Sequence, residues 1–165
     1  MTVPVRIETE LGAFTVSIDT ESAPITAANF LAYIDGGHLD AAEAYRLVTM
    51  ANQPAETVHK IEVVQWGFHA SETKPAPFAP IPHETTEVTG LRHKHMTLSM
   101  ARFAPGSAAS EFFICIGDQP QLDFGGMRNP DGQGFAAFGS VTEGEDTVLA
   151  IFVRAEASEY PATPI

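Results

Sequence analysis

Leu98-Ser99-Met100-Ala101-Arg102 and, beyond a short loop, Ser110-Glu111-Phe112-Phe113-Ile114 are the two pieces of this chain that decide its fold. Met96 to Met100 and Phe112 to Ile116 each have the length and apolar character of a strand, and the small residues of Ala104 to Ala109 loop between them. Toward the N-terminus, Ile61 to Gln65 and Ala44 to Val48 are two further strand-like runs, separated by the polar stretch Thr49 to Lys60. Pro75, Pro77, Pro80 and Pro82 make 74–82 too proline-rich for a central strand, so it reads as an ordered surface crossing. Val3 to Thr9 and Ala13 to Ile18 alternate apolar and polar residues on either side of Gly12, the pattern of a β-hairpin. Ser22-Ala23-Pro24 then opens a helix, with Ser22 as the expected N-cap, and apolar residues recur at helical spacing as far as Gly36-Gly37. Toward the C-terminus, Gly117 to Gly134 is a loop, Phe135 to Val141 a strand, Gly144 to Ile151 a short helix and Phe152 to Arg154 a last strand. Many short strands and two helices predict a mainly β fold, a closed antiparallel barrel, in one domain over residues 1–165.

The totals agree with one globular domain. The chain has 165 residues, 44% hydrophobic and 18% charged, with 13 Gly and 12 Pro spread through it as turn residues. Asp and Glu number 21 against 9 Lys and Arg, a net charge of −12, which repels a phosphate backbone and argues against nucleic-acid binding. Cys115 is the only cysteine, so no internal disulfide calls for an oxidising compartment. The first residues lack the basic and apolar regions of a signal peptide, and no apolar run has the length of a membrane span; the expectation is a cytoplasmic protein without membrane contact, and a monomer.

The common catalytic signatures are missing: no G-x-S-x-G, no Walker loop, no G-x-G-x-x-G, no H-E-x-x-H. The glycines of Asp123 to Gly134 do not lie between a strand and a helix and read as turn residues. His93 and His95 have the spacing of two ligands on one strand face, but no carboxylate or Cys completes a set and Arg92 and Lys94 flank them, so they read as an exposed strand start and no metal is expected.

Taken together, six blocks resemble the cyclophilin family of prolyl isomerases over nearly the full length. Val5-Arg6-Ile7-Glu8-Thr9 with Gly12 is similar to the family's first hairpin, and Ala23-Pro24-Ile25-Thr26-Ala27-Ala28-Asn29-Phe30-Leu31 to its first helix. Tyr45-Arg46-Leu47-Val48 resembles the strand with the family's catalytic arginine. The two opening pieces resemble its most specific stretch, and Leu122-Asp123 and Phe135 to Val141 its next two blocks. The resemblance implies a closed eight-stranded antiparallel β-barrel capped by two α-helices. It also implies a peptidyl-prolyl cis/trans isomerase acting on proline-containing peptides and unfolded chains.

That reaction makes modest chemical demands. Twisting an amide costs about 18–20 kcal/mol because resonance is lost, and an X-Pro bond left alone turns over in tens to hundreds of seconds. No covalent bond is broken, so no nucleophile, metal or cofactor is needed. A dry slot for the proline ring and a cationic donor aimed at the imide nitrogen suffice, because both favour the twisted form over either planar one. By resemblance Arg46 is the donor and Gln65 the glutamine that orients it and bonds substrate backbone. Phe113 is the pocket floor, Leu122 and Val63 are walls, and Phe135 is a covering ring where many members carry histidine. Ala101 and Arg102 belong to the edge segment whose backbone pairs with substrate, and Glu111 stands where glutamine is frequent.

Three departures stand out. Eighteen residues separate Arg46 from Gln65, more than in shorter members; Glu62 aligns with a pocket phenylalanine; and Trp66 replaces a glycine, where it narrows the groove or packs outside it. These altered positions keep open an alternative, a proline-peptide or partner-protein binding module with little turnover.

Overall fold

The computed structural model describes residues 1–165. Alternation builds the first hairpin: β1 (Thr2–Thr9) and β2 (Gly12–Asp19) pair in register from Thr2↔Asp19 to Thr9↔Gly12, and Phe14, Val16 and Ile18 all point inward from β2. Next come α1 (Pro24–Asp35), β3 (Glu43–Val48), β4 (Val63–Gly67), the one-turn α2 (Thr86–Thr89), β5 (Thr97–Met100) and β6 (Glu111–Cys115). A 3-10 turn (Pro120–Leu122), β7 (Ala137–Glu143) and α3 (Glu145–Phe152) complete the chain. All pairings are antiparallel, in the order β1-β2-β7-β5-β6-β4-β3.

This is a seven-stranded, curled half-barrel, not the closed eight-stranded barrel expected, because the edge strands β1 and β3 do not pair. The run read as a last strand, Phe152 to Arg154, is the end of α3 and the turn after it. The segment beyond α3 meets the free edge of β3 through separate bonds, Ala44 N–H to the Ile165 carbonyl and Leu47 N–H to that of Glu159, each 2.7 Å, rather than through a ladder. The expected pair of helices is present as α1 and α3, joined by the short α2, which no periodicity announces. The proline-rich crossing has no regular secondary structure.

The sheet has two working faces. Cross-strand partners Leu47, Val64, Ile114 and Leu98 form one row, facing the 22-residue core that α1 and α3 cover. Phe30 of α1 anchors that core, edge-on to Phe112 at 4.9 Å and tilted against Phe138 at 5.3 Å. Trp66 also points inward, 6.0 Å from Phe30, so its bulk fills the core and leaves the groove unchanged. One residue along each strand, Arg46, Gln65, Phe113 and Ser99 form a second row on the opposite face. A separate cluster of six apolar residues sits there: Val48, Ile61, Val63, Phe113, Cys115 and Leu122.

Two polar devices hold these faces. The N-terminus of α1 lacks the Ser22 cap that the sequence suggests; the N-cap position is Ala23, and no side chain of its own caps it. Glu84, arriving from the proline-rich crossing, accepts from Thr26 N–H and Thr26 Oγ1 at 2.6 Å each and from Ile25 N–H at 3.3 Å. A carboxylate there satisfies orphan donors and faces the positive end of the helix. On the other face His93 is buried, contrary to the exposed position expected, because it lies ahead of β5 and turns inward while His95 turns out to Glu145. Asp123 Oδ1 accepts from the His93 backbone N–H at 2.9 Å and lies 2.8 Å from Nδ1, while Ser99 Oγ lies 2.8 Å from Nε2. An ionised Asp123 only accepts, so Nδ1 carries the proton of that bond. The order is that of a nucleophilic triad, but Ser99 is fully buried behind Phe113, and the network serves as support. Burial works to raise the Asp123 carboxyl; the hydrogen bonds from His93 outweigh it and hold the group below the usual carboxylate range.

Replacing Glu84 with Ala should lower stability by about 1–2 kcal/mol. Thermal unfolding should show this as a midpoint lower by about 2–8 °C, and an unchanged midpoint would remove the capping role. The stability that Asp123 contributes should be complete above the ordinary carboxylate pKa of about 4 and fade as pH falls through and below it. Asp123→Asn should therefore cost about 1–3 kcal/mol at neutral pH and less at a pH below the ordinary carboxylate range. Denaturant midpoints at the two pH values check this, and equal losses at both would contradict it.

Candidate active site

Arg46, Gln65 and Phe113 of the second row floor an open cleft of about 450 Å³. All nine residues singled out from the sequence line it: Arg46 from β3, Val63 and Gln65 from β4, Ala101 and Arg102 from the segment after β5, Glu111 and Phe113 from β6, Leu122 from the 3-10 turn, and Phe135 just before β7. The apolar half is built around Phe113, with Phe135 edge-on at 5.8 Å and His93 stacked at 6.1 Å. Val63, Leu122 and Ile61 complete it. Ile61, not its neighbour Glu62, lines this half; Glu62 accepts from Met50 N–H at 3.4 Å.

The polar half is a chain of donors. Arg46 Nη1 donates to Gln65 Oε1 at 2.9 Å, Gln65 Nε2 to the Tyr45 hydroxyl at 2.7 Å, and the Tyr45 hydroxyl to Glu111 Oε1. Burial, and then the Glu111 carboxylate that accepts its proton, push the Tyr45 hydroxyl well above the usual phenol range, so it remains a donor. His69 stacks on its ring at 4.1 Å. On the other edge Arg46 Nη2 donates to Glu159 Oε1 at 3.1 Å, and Arg46 Nε is buried without a partner.

Counting donors separates the arginines. A guanidinium carries five N–H groups. In Arg102 all five are engaged: Asp131 takes two, at 2.9 and 3.0 Å, Gly134 O takes two and Phe103 O one. Its plane lies 4.8 Å over the Phe135 ring. Its side chain therefore rivets the loop before β7 and seats Phe135, with no donor left for a ligand. Arg46 uses two of its five; Nε–H is buried, and two Nη N–H groups remain beside the apolar floor. A third guanidinium, Arg128, donates through Nη1 to Gln53 Oε1 and His59 O. Desolvation and then the nearby Arg46 charge lower its pKa, while Glu159 opposes the shift.

The sequence reading missed Tyr45, Ile61, Arg128, Glu159 and Tyr160, all at this cleft or bonded to its residues. Strict alternation puts Tyr45 on the opposite face from Arg46. The register of β3 against β4 shifts between Glu43 and Arg46, and that irregularity lets two consecutive side chains reach one side. Glu159 lies 113 residues from Arg46, and no local pattern joins them.

The family model described as "Cyclophilin type peptidyl-prolyl cis-trans isomerase/CLD" matches residues 4–164. A peptidyl-prolyl cis-trans isomerase of Streptomyces antibioticus is 34% identical over 148 residues, covering 89% of this chain and 81% of that protein. Peptidyl-prolyl cis-trans isomerase B of Escherichia coli (strain K12) is 30% identical over 145 residues, covering 87% and 80%. The crystal structure of a cyclophilin type peptidyl-prolyl cis-trans isomerase from Cryptosporidium parvum superposes with a TM-score of 0.73 at 19% identity, over 99% of this chain and 93% of that one. The same parasite protein in the presence of the dipeptide Ala-Pro gives 0.68 at 20% identity, over 98% and 93%. At such identities the superpositions speak for the fold alone. The match along nearly the whole sequence, together with the bacterial relatives, makes this chain a member of the cyclophilin-type peptidyl-prolyl cis-trans isomerase family.

Proposed function

We propose that this peptidyl-prolyl cis/trans isomerase works through Arg46, with the proline ring of the substrate seated on Phe113 between Val63, Ile61, Leu122 and Phe135. The observation that carries the reading is a guanidinium tethered on two sides, yet holding two unspent Nη N–H donors at the rim of an apolar slot. As the X-Pro bond twists, conjugation is lost and the nitrogen lone pair localises. A fixed cationic donor then stabilises the twisted form more than either planar form, which is what lowers the barrier. Gln65 holds the plane of Arg46 and has its own amide anchored by Tyr45. The backbone at Ala101 and Arg102 is assigned to the substrate chain before proline, with Glu111 near it. The Arg102 side chain is assigned to Phe135.

Proline-containing peptides and unfolded chains are the proposed substrates. The dipeptide Ala-Pro used with the parasite relative is the smallest version of that chemistry. A monomer in the cytoplasm is the proposed setting. A net charge of −12, which keeps copies apart by like-charge repulsion, supports the monomer.

Exchange NMR on a short X-Pro peptide tests the assignment. Arg46→Ala should lower kcat by about 10²–10³-fold, the usual loss when one preorganised charged donor is removed, while peptide binding persists. Arg46→Lys should recover little, because a point charge cannot keep both the Gln65 and Glu159 bonds and still face the cleft. Full turnover in Arg46→Ala would falsify the role of this side chain.

A further inference from the structure

The segment after α3 supplies a residue to the cleft that neither the resemblance nor the strand pattern assigns. Glu159 grips β3 twice at consecutive residues: its carbonyl accepts from Leu47 N–H at 2.7 Å, and its carboxylate accepts from Arg46 Nη2 at 3.1 Å. Its backbone is fixed independently of that ion pair. Asn52 Nδ2 donates to the carbonyls of Glu156 and Ser158 at 3.2 and 3.5 Å, Pro161 is buried, and Ala44 N–H reaches the Ile165 carbonyl. The Arg46 and Glu159 side chains are only 23% and 20% exposed, so the pair is shielded more than an ordinary surface ion pair.

We infer that Glu159 is a positioning residue for Arg46, holding the guanidinium plane from the side opposite Gln65. The inference rests on the proposed role of Arg46. Held through Nη1 alone, the group would swing about that bond and its donors would sweep the cleft. Held at both Nη1 and Nη2, its plane is set, and the unspent N–H groups keep one direction. The carboxylate also offsets the like charge of Arg128, whose pKa feels both groups. A long arginine side chain loses rotamer freedom when it is ordered, and two tethers remove part of that cost before the substrate arrives.

The test uses the full chain with Glu159→Ala, Glu159→Gln and Glu156→Ala. Glu156 belongs to the same segment and accepts from Ala162 N–H at 3.0 Å without touching Arg46. Glu159→Ala should lower kcat about tenfold with KM within about twofold. Glu159→Gln, which keeps an acceptor oxygen, should restore most of kcat, and Glu156→Ala should leave it unchanged. In nitrogen-15 spectra, rotation of the Arg46 Nη groups should be slow in the wild type and in Glu159→Gln, and fast in Glu159→Ala. If Glu159→Ala unfolds, Glu159→Gln against Asn52→Ala, which frees the segment but keeps the carboxylate, decides by the same rotation rates. Unchanged or higher kcat in Glu159→Ala, an equal loss in Glu156→Ala, or unaltered Nη rotation would each overturn the inference. A wild type without turnover would instead sink the isomerase role of Arg46, and the rotation rates would still decide whether Glu159 holds the guanidinium.

Discussion

The bond from Arg46 Nη1 to Gln65 Oε1 is the point on which the cleft depends. It joins directly paired residues of β3 and β4, and Gln65 is in turn paired with Phe113 on β6. One cross-strand row thus sets the distance between the charged donor and the apolar floor. No loop intervenes, so the site inherits the stiffness of a hydrogen-bonded ladder. This suits a reaction whose catalyst must discriminate between planar and twisted forms of the same group. A donor free to follow the substrate would bind both forms and lower no barrier.

Such a row needs both faces of the sheet to be stable. The inner face has the large aromatic core, but the outer face offers a six-residue apolar cluster that must stay partly open to receive a ligand. Its stability therefore comes from polar fixtures behind it. Asp123, His93 and Ser99 form a closed hydrogen-bonded network against which Phe113 stacks, and Arg102 uses every donor it has to seat Phe135. These residues make the slot rigid without occupying it.

Much of this was legible in the sequence, and the parts that were not share a cause. Short alternating runs announced the strands, and the family-like blocks named nine residues that the fold gathers from β3 to β7 into one cleft. Barrel closure was misread because Phe152 and Val153 look like strand residues, yet Gly144, at φ +78°, and the acidic first turn of α3 start a helix that runs through Phe152. Tyr45 was hidden by a register shift, which alternation cannot see. Glu84 and Glu159 were hidden by distance, since each meets its partner only after the chain has folded: a helix end 58 residues away, and an arginine 113 residues away. His93 was misplaced because flanking Arg92 and Lys94 suggested solvent, whereas a carboxylate from the loop after the 3-10 turn made burial affordable.

Charge shows how a cation is kept in so acidic a chain. Three of its 9 Lys and Arg residues, Arg46, Arg102 and Arg128, line this one cleft. Arg102 is matched by Asp131, and Arg46 by Glu159, so the cleft holds little net positive field to draw in a distant ligand. What distinguishes Arg46 is directional capacity: two unspent Nη N–H groups held in a fixed plane at the edge of an apolar surface. A substrate that is neutral at the reacting bond gains nothing from long-range attraction, which salt screens over about 10 Å. It gains from a donor that is already aimed when the nitrogen lone pair appears, and that is the property which the two tethers on Arg46 confer.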